Sequence, residues 1–385
     1  MTQCRKVVRF VPRFGAIAMA TDIEALALAG VRGLRPYEPG KPLDELEREF
    51  GITGAVKLAS NENPLGPSPM ALAVIGGHLP ELARYPDGNG FSLKRALAGR
   101  LQLDPAQITL GNGSNDVLEF IARAFVGPDN EVVFSRHSFA VYPIVTQAVG
   151  ARAVVTPAKD WGYDLDALSR AISDRTRVVF IANPNNPTGT WISSNELHSF
   201  ISSLPSHVLC VVDEAYFEYV EHADYPDAMS WLPAFDNLIV TRTFSKIYGL
   251  AGLRIGYGAS SLAIADMLNR VRQPFNTNSL ALAAAEAALA DDAHLQASRA
   301  CNTAGMNQLI AAFESLGLDY IPSVGNFVAV DVGRTAAEVY DQLLRRGVIV
   351  RPVANYEMPN HLRITVGTEA ENTKFLGALT DVLDR

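Results

Sequence analysis

Cysteine is scarce, with three in 385 residues, at Cys4, Cys210 and Cys301. Their wide separation fits neither a disulfide framework nor zinc-ligand spacing, so a reducing, cytoplasmic setting is expected and no metal site. Cys210 lies in an apolar run and reads as a buried filler. Seven histidines form no cluster with metal spacing, and His137 reads as an ordinary loop residue. No apolar run reaches the roughly 20 residues needed to cross a bilayer, so no membrane partner is expected. Positive charge is also short: 33 Lys and Arg face 41 Asp and Glu, for a net charge of −8. That balance argues against nucleic acid or an anionic membrane as partner, while leaving room for a local basic pocket. There is no Gly-x-Ser-x-Gly elbow, no internal repeat and no low-complexity tract. Arg5, Lys6, Arg9 and Arg13 precede an apolar run from Phe14 to Ala20. That run is too short and uneven for an export signal. Residues 1–20 are expected to be a disordered extension, or to lie upstream of a start at Met19.

What is present is a chain of 48% hydrophobic and 19% charged residues, long enough for two packed domains. Its middle alternates strand and helix signals. Ile108–Leu110, Glu131–Phe134, Arg177–Ala182, Val208–Val212 and Leu238–Thr241 are short apolar runs, and Ser114–Phe125 has helical spacing. Strands separated by helices predict an α/β fold with a mostly parallel sheet covered on both faces. Sites in such sheets lie beyond the carboxyl ends of the strands. The C-terminal third, with an alanine-rich helix at Ser279–Ala290 and short strands near Asn326–Val332, Val348–Arg351 and Leu362–Val366, predicts a smaller α/β domain. The expected division is 21–64 as an N-terminal segment packing with the small domain, 65–278 as the large domain and 279–385 as the small one.

Four polar stretches follow those strands. Thr241-Arg-Thr-Phe-Ser-Lys246 carries a lysine beside two hydroxyls, Thr243 and Ser245, with Arg254 eight residues on. Hydroxyls plus a guanidinium suit a phosphate. A lysine beside a phosphate can form a Schiff base with a phosphorylated aldehyde cofactor. Asp213, in Val211-Val-Asp-Glu-Ala-Tyr216, ends an apolar strand, where a carboxylate is costly without a cation; a pyridinium nitrogen would be one. Tyr216, and Asn186 in Asn183-Pro-Asn-Asn-Pro-Thr-Gly189, could each donate to that ring's phenolic oxygen. Ser114 and Asn115 open a helix after Leu110-Gly-Asn-Gly, where an anion is favoured. The same Gly-x-Gly invites a dinucleotide reading, but Asp116 stands at the third glycine position. Each stretch alone has a plainer explanation: a surface lysine, a capping aspartate beside a core tyrosine, or a simple turn. Glu214 is expected to be structural.

The order Ser114, Asn186, Asp213, Tyr216, Lys246, Arg254 is specific, and with it the chain resembles the histidinol-phosphate aminotransferase family of the fold-type I pyridoxal-phosphate-dependent enzymes. Ser60-Asn-Glu-Asn-Pro-Leu-Gly66, Arg84-Tyr-Pro-Asp87 and Arg242–Arg254 carry the resemblance most strongly, and it extends from about Leu26 to the C-terminus. It implies a fold-type I enzyme with pyridoxal 5′-phosphate as cofactor and Lys246, Asp213 and Tyr216 as catalytic residues. Phe139 resembles the aromatic that stacks on the cofactor ring. Tyr85 resembles the residue that reaches the partner subunit's cofactor phosphate, implying a homodimer with shared sites. Arg363 and Arg351 resemble anion contacts for substrate, and Tyr37 sits where the N-terminal segment closes over it. Two features depart from the family pattern: Asn115-Asp116 replaces a more acidic pair, and the basic N-terminal extension has no counterpart.

The resemblance implies transamination from L-histidinol phosphate to 2-oxoglutarate, yielding imidazole acetol phosphate and L-glutamate in histidine biosynthesis. Two rivals share the motifs: an aromatic amino-acid aminotransferase, and, in another class, a threonine-phosphate decarboxylase. A regulator built on this fold would carry a DNA-binding module, which the short N-terminal segment is not expected to hold. A nicotinamide dehydrogenase is opposed by Asp116.

Overall fold

The computed structural model describes residues 22–36 and 40–383, so the expected extension at 1–20 and Tyr37 lie outside the described residues. Seven strands form the main sheet: β1 (Ile108–Gly111), β2 (Glu131–Ser135), β3 (Arg152–Thr156), β4 (Thr176–Ala182), β5 (Leu209–Asp213), β6 (Leu238–Thr243) and β7 (Gly256–Ser260). Their order is β1-β7-β6-β5-β4-β2-β3. Neighbours run parallel except β7, which is antiparallel to both β1 and β6. The central strands are buried on both faces, because alternate side chains enter separate cores. Val179, Ile181, Val212 and Val240 pack with Leu97 and Ala284 on one face. Val178, Phe180, Val211 and Ile239 pack with Leu118 and Tyr142 on the other.

A second sheet contains β8 (Tyr320–Ile321), β9 (Phe327–Asp331), β10 (Arg351–Val353) and β11 (Met358–Thr365), in the order β8-β9-β11-β10. All its pairs are antiparallel. Val328, Val330, Leu362 and Ile364 bury one face against Leu309, Phe313 and Phe375.

Two packing relations differ from the expected division. The alanine-rich helix Ser279–Leu289 belongs with the main sheet, since Ala281, Ala284, Ala285 and Ala288 share a core with Leu97, Leu110 and Tyr248. The change of core falls instead inside the helix Asp292–Ser315, whose Leu295 enters the main core and whose Leu309 and Phe313 enter the smaller one. Small alanines let that helix approach its neighbours closely, which is a packing signal and not a boundary signal. The N-terminal segment is also divided. Val56–Lys57 pairs in parallel with Val348–Ile349, and Leu46 and Ala59 pack on Leu344 and Ile349. The turn at Ala29–Arg32 rests on the helix Val141–Ala148 instead; a Cβ on Gly30 would stand 2.0 Å from the Gln147 carbonyl oxygen.

The strands deliver the polar motifs to one edge. β4 ends at Ala182 just before Asn183, β5 ends on Asp213, and β6 ends at Thr243 just before Ser245 and Lys246. The helix Ser114–Phe125 begins just beyond β1.

Candidate active site

Beyond that edge lies a cleft lined by Asp213, Tyr216, Lys246, Asn186, Ser114, Asn115, Phe139, Thr243, Ser245, Arg254, Arg351 and Arg363. Asp213 is 4% exposed, at the end of a central strand. Its two oxygens are held separately: Thr241 Oγ1 donates to Oδ1 at 3.0 Å and Tyr142 Oη donates to Oδ2 at 3.1 Å. Thr241 is the directly paired residue on β6. Burial raises the Asp213 pKa to about 6, against the lowering effect of both hydroxyls and of Lys246. A buried carboxylate in this condition calls for a cation within the cleft.

Lys246 is the nearest candidate amine, but its own geometry makes it a weak cation. Its Nζ donates to the Ser60 carbonyl at 3.1 Å and stands 5.5 Å from the centre of the Tyr216 ring. Burial, then the Arg363 guanidinium, pulls its pKa down to about 7. Near neutrality a large fraction of Lys246 is therefore a free amine, able to attack a carbonyl.

The mouth of the cleft is built for an anion. Ser114 opens a twelve-residue helix whose N-cap, Gly113, has a φ of 89° and no side-chain cap. Unsatisfied amides at such a terminus favour negative charge. A Cβ on Gly113 would fall 2.5 Å from Arg254 Nη2, and one on Gly256 would fall 2.4 Å from the Ser114 nitrogen. Glycine at both positions lets loop, strand and guanidinium converge. Arg254 Nη1 donates to the Ala251 carbonyl at 3.2 Å and to Ser245 Oγ at 3.4 Å, and Nη2 donates to the Asn112 carbonyl at 3.4 Å. Asp116 does not face the anion position: its Oδ2 accepts from the Asn112 amide at 2.8 Å and from Asn276 Nδ2 at 3.1 Å. The donor set fits a phosphate group, with a buried carboxylate and a free amine deeper in the same cleft.

Tyr216 is 3% exposed, and its hydroxyl accepts from Asn61 Nδ2 at 2.9 Å. Asn186 offers its carbonyl oxygen to Arg363 Nη1 at 2.6 Å, which leaves the amide end for another acceptor. Arg363 Nη2 donates to the Ala59 carbonyl at 2.6 Å, while its buried Nε has no partner. Arg351 faces Arg363 directly across β10 and β11. Both line the cleft, and two guanidinium groups there suit an anionic group of a ligand.

Phe139 lines the cleft and meets Tyr142 edge-on at 5.9 Å. Tyr85 is not brought into it. Tyr85 is 82% exposed and stacks on Phe275 at 4.7 Å. His137 has its Nδ1 2.5 Å from the Tyr356 carbonyl oxygen. Glu214 makes a buried ion pair with Arg242 at 2.6 Å. Sequence reasoning missed Tyr142, Thr241, Asn61 and Tyr356. Tyr142 lies in Val141–Ala148, a segment with no polar motif to single it out, and Thr241 lies in an apolar strand. Asn61 stands in the Ser60–Gly66 stretch; its φ of 55° and its bonds to Tyr216, Thr365 and Asn326 tie the N-terminal segment to the site.

The sequence profile described as Aminotransferase class I and II matches residues 53–379. The chain is 64% identical over 369 residues to histidinol-phosphate aminotransferase 2 of Pseudomonas fluorescens, covering 95% of this chain and 100% of that one. It is 60% identical over 359 residues to histidinol-phosphate aminotransferase 1 of Nitrosococcus oceani, covering 93% and 97%. A crystal structure of histidinol-phosphate aminotransferase from Sinorhizobium meliloti in complex with pyridoxal-5′-phosphate superposes with a TM-score of 0.85 at 32% identity, covering 92% of this chain and 97% of that one.

The depressed lysine gives a direct test. In protein free of any cofactor, competitive acetylation followed by peptide mass spectrometry will show Lys246 reactivity half-developed near pH 7, as its shift to about 7 requires. An ordinary lysine titrates near 10.4. The folded form releases this proton earlier than the unfolded chain, so the same group contributes stability that grows as pH rises from 7 to 10.5. A Lys246 reactivity midpoint close to that of surface lysines contradicts the buried-amine assignment.

Proposed function

The chain belongs to the class I and II aminotransferases, and on that premise we propose that it moves the amino group of L-histidinol phosphate to 2-oxoglutarate, giving imidazole acetol phosphate and L-glutamate in histidine biosynthesis. The observation that carries this reading is the cross-strand pair Arg351 and Arg363 in the cleft that also holds Lys246 and Asp213. One donor brings a phosphate and no carboxylate, and the other substrate brings carboxylates. Guanidinium groups accept either anion through paired hydrogen bonds.

The cofactor is pyridoxal 5′-phosphate, which supplies an aldehyde that condenses with amines and a ring that withdraws the electron pair left on the substrate carbon. Ser114, Asn115, Thr243, Ser245 and Arg254 would hold its phosphate, with the helix terminus at Ser114 adding amides. Asp213 would keep the ring nitrogen protonated, and in doing so gain the cation its burial demands. Tyr216 and the Asn186 amide would hold the phenolic oxygen, and Phe139 would cover one face of the ring. Lys246 would carry the aldehyde carbon at rest. Once substrate amine takes its place, Lys246 Nζ would move the proton from the substrate carbon to the cofactor carbon.

We also propose a cytoplasmic homodimer. Among the described residues, no helix is long and apolar enough to cross a membrane. A phosphorylated substrate does not cross one unaided, so the enzyme belongs in the compartment that makes it. Met70, Leu72, Leu79, Leu82 and Phe91 are exposed in the stretch of chain that flanks Tyr85, and the exposed Phe275 stacks on Tyr85 itself. Clusters of exposed apolar side chains mark interaction surfaces. An isologous pairing there would send each Tyr85 toward the other chain's phosphate cup.

Donor profiling with 2-oxoglutarate as acceptor tests the substrate. L-Histidinol phosphate should exceed phenylalanine and tyrosine in kcat/KM by at least about tenfold, a difference of about 1.4 kcal/mol. Arg363→Ala should lower that value by roughly a hundredfold or more, as expected when one side of a desolvated charge pair is truncated. Preference for an aromatic amino acid, or release of carbon dioxide from threonine phosphate, would replace this reading with a rival. Sedimentation of active enzyme should give twice the 41.6 kDa chain mass. A fully active monomer would remove the shared-site proposal.

A further inference from the structure

Asp213 and Phe139 come from separate parts of the chain, yet one side chain touches both. Tyr142 lies on the helix Val141–Ala148, three residues beyond Phe139. Its ring is fully buried and lies flat against Phe180, with centroids 4.7 Å apart and planes 6° apart. Its edge meets Phe139 at 5.9 Å and 87°, and its hydroxyl donates to Asp213 Oδ2 at 3.1 Å. Phe180 is on β4 and Asp213 on the adjacent β5. The tyrosine therefore locks the floor of the sheet to the two groups that would grip the cofactor ring from its face and from its nitrogen.

We propose that Tyr142 is a positioning residue for the reaction: its hydroxyl fixes the Asp213 carboxylate and lowers its basicity, so that the shared proton stays on the cofactor's ring nitrogen, while its ring edge sets Phe139. This rests on the cofactor reading given above. Asp213 holds one hydroxyl on each oxygen, and these two donors offset a burial that otherwise favours the neutral acid. Removing one of them makes the carboxylate a stronger base. With the cofactor bound, the proton shared by Asp213 and the ring nitrogen would then lie nearer to oxygen, and the ring would withdraw electrons less strongly. No other species would be needed, because the proton would only change position between those two atoms. The phenol remains a donor throughout, since burial holds it protonated well above its ordinary range.

The experiment uses holoenzyme reconstituted with pyridoxal 5′-phosphate labelled with nitrogen-15 in the ring. Tyr142→Phe keeps the stack on Phe180 and the edge contact to Phe139 but deletes the donor. Its ring-nitrogen resonance should move toward that of unprotonated pyridine. Its kcat should fall about tenfold or more with little change in KM, the loss expected for one hydrogen bond to a charged group acting in the transition state. Thr241→Val should move the resonance the same way, and Thr241→Ser should restore it. Tyr142→4-aminophenylalanine keeps a weaker donor; it should give an intermediate shift, and it supplies the reading if the phenylalanine variant does not fold. A purely structural tyrosine lowers the melting temperature without moving the nitrogen signal. A resonance in folded, cofactor-loaded Tyr142→Phe that coincides with the parent's overturns the proposal. Failure of the parent protein to bind the labelled cofactor overturns the cofactor reading instead, so the two failures are distinct.

Discussion

A carboxylate buried at the end of a central strand constrains everything around it. Asp213 cannot stay ionised in that position on solvation by water, because it is 4% exposed. Two hydroxyls, Thr241 and Tyr142, meet it from neighbouring elements, and burial still raises its pKa to about 6. What remains is a demand for positive charge from the cleft side. A pyridinium nitrogen would meet that demand, and the same contact would keep the ring electron-poor. The strand order, Gly113 and Gly256 and the tyrosine beside Phe139 together leave a cleft between that carboxylate and an anion-binding helix terminus.

The surrounding charges follow the same logic. Lys246 loses its proton readily because it is desolvated beside Arg363 and Arg254. Arg351 and Arg363 are paired across adjacent strands at the cleft, where two guanidinium groups suit an anion. A desolvated lysine costs stability, and local arrangements of that kind concentrate where chemistry occurs.

Much of this was legible in the residues. Apolar runs marked β2, β4, β5 and β6, and the polar motifs followed directly at their ends. β7 was not legible, because Gly256-Tyr-Gly-Ala-Ser260 has no apolar run; its glycines are required by close packing, with a Cβ on Gly258 falling 2.7 Å from Val117 Cγ1. β3 is an edge strand with mostly exposed or half-exposed residues, so it lacks the buried-strand signature. The helix Ser279–Leu289 gave the right element with the wrong neighbour, because alanine content says how close a helix packs but not against what. Tyr142 and Thr241 were invisible for a related reason: a hydroxyl that serves a buried acid across the sheet looks, in one dimension, like any core tyrosine or strand threonine.

The central claim is that Lys246 is the residue that binds pyridoxal 5′-phosphate covalently, and one measurement addresses it directly. Protein incubated with the cofactor is reduced with borohydride, digested and mapped by mass spectrometry. The account predicts loss of the visible absorption band and a single pyridoxyl group on Lys246. A label on another lysine, or none, would contradict it.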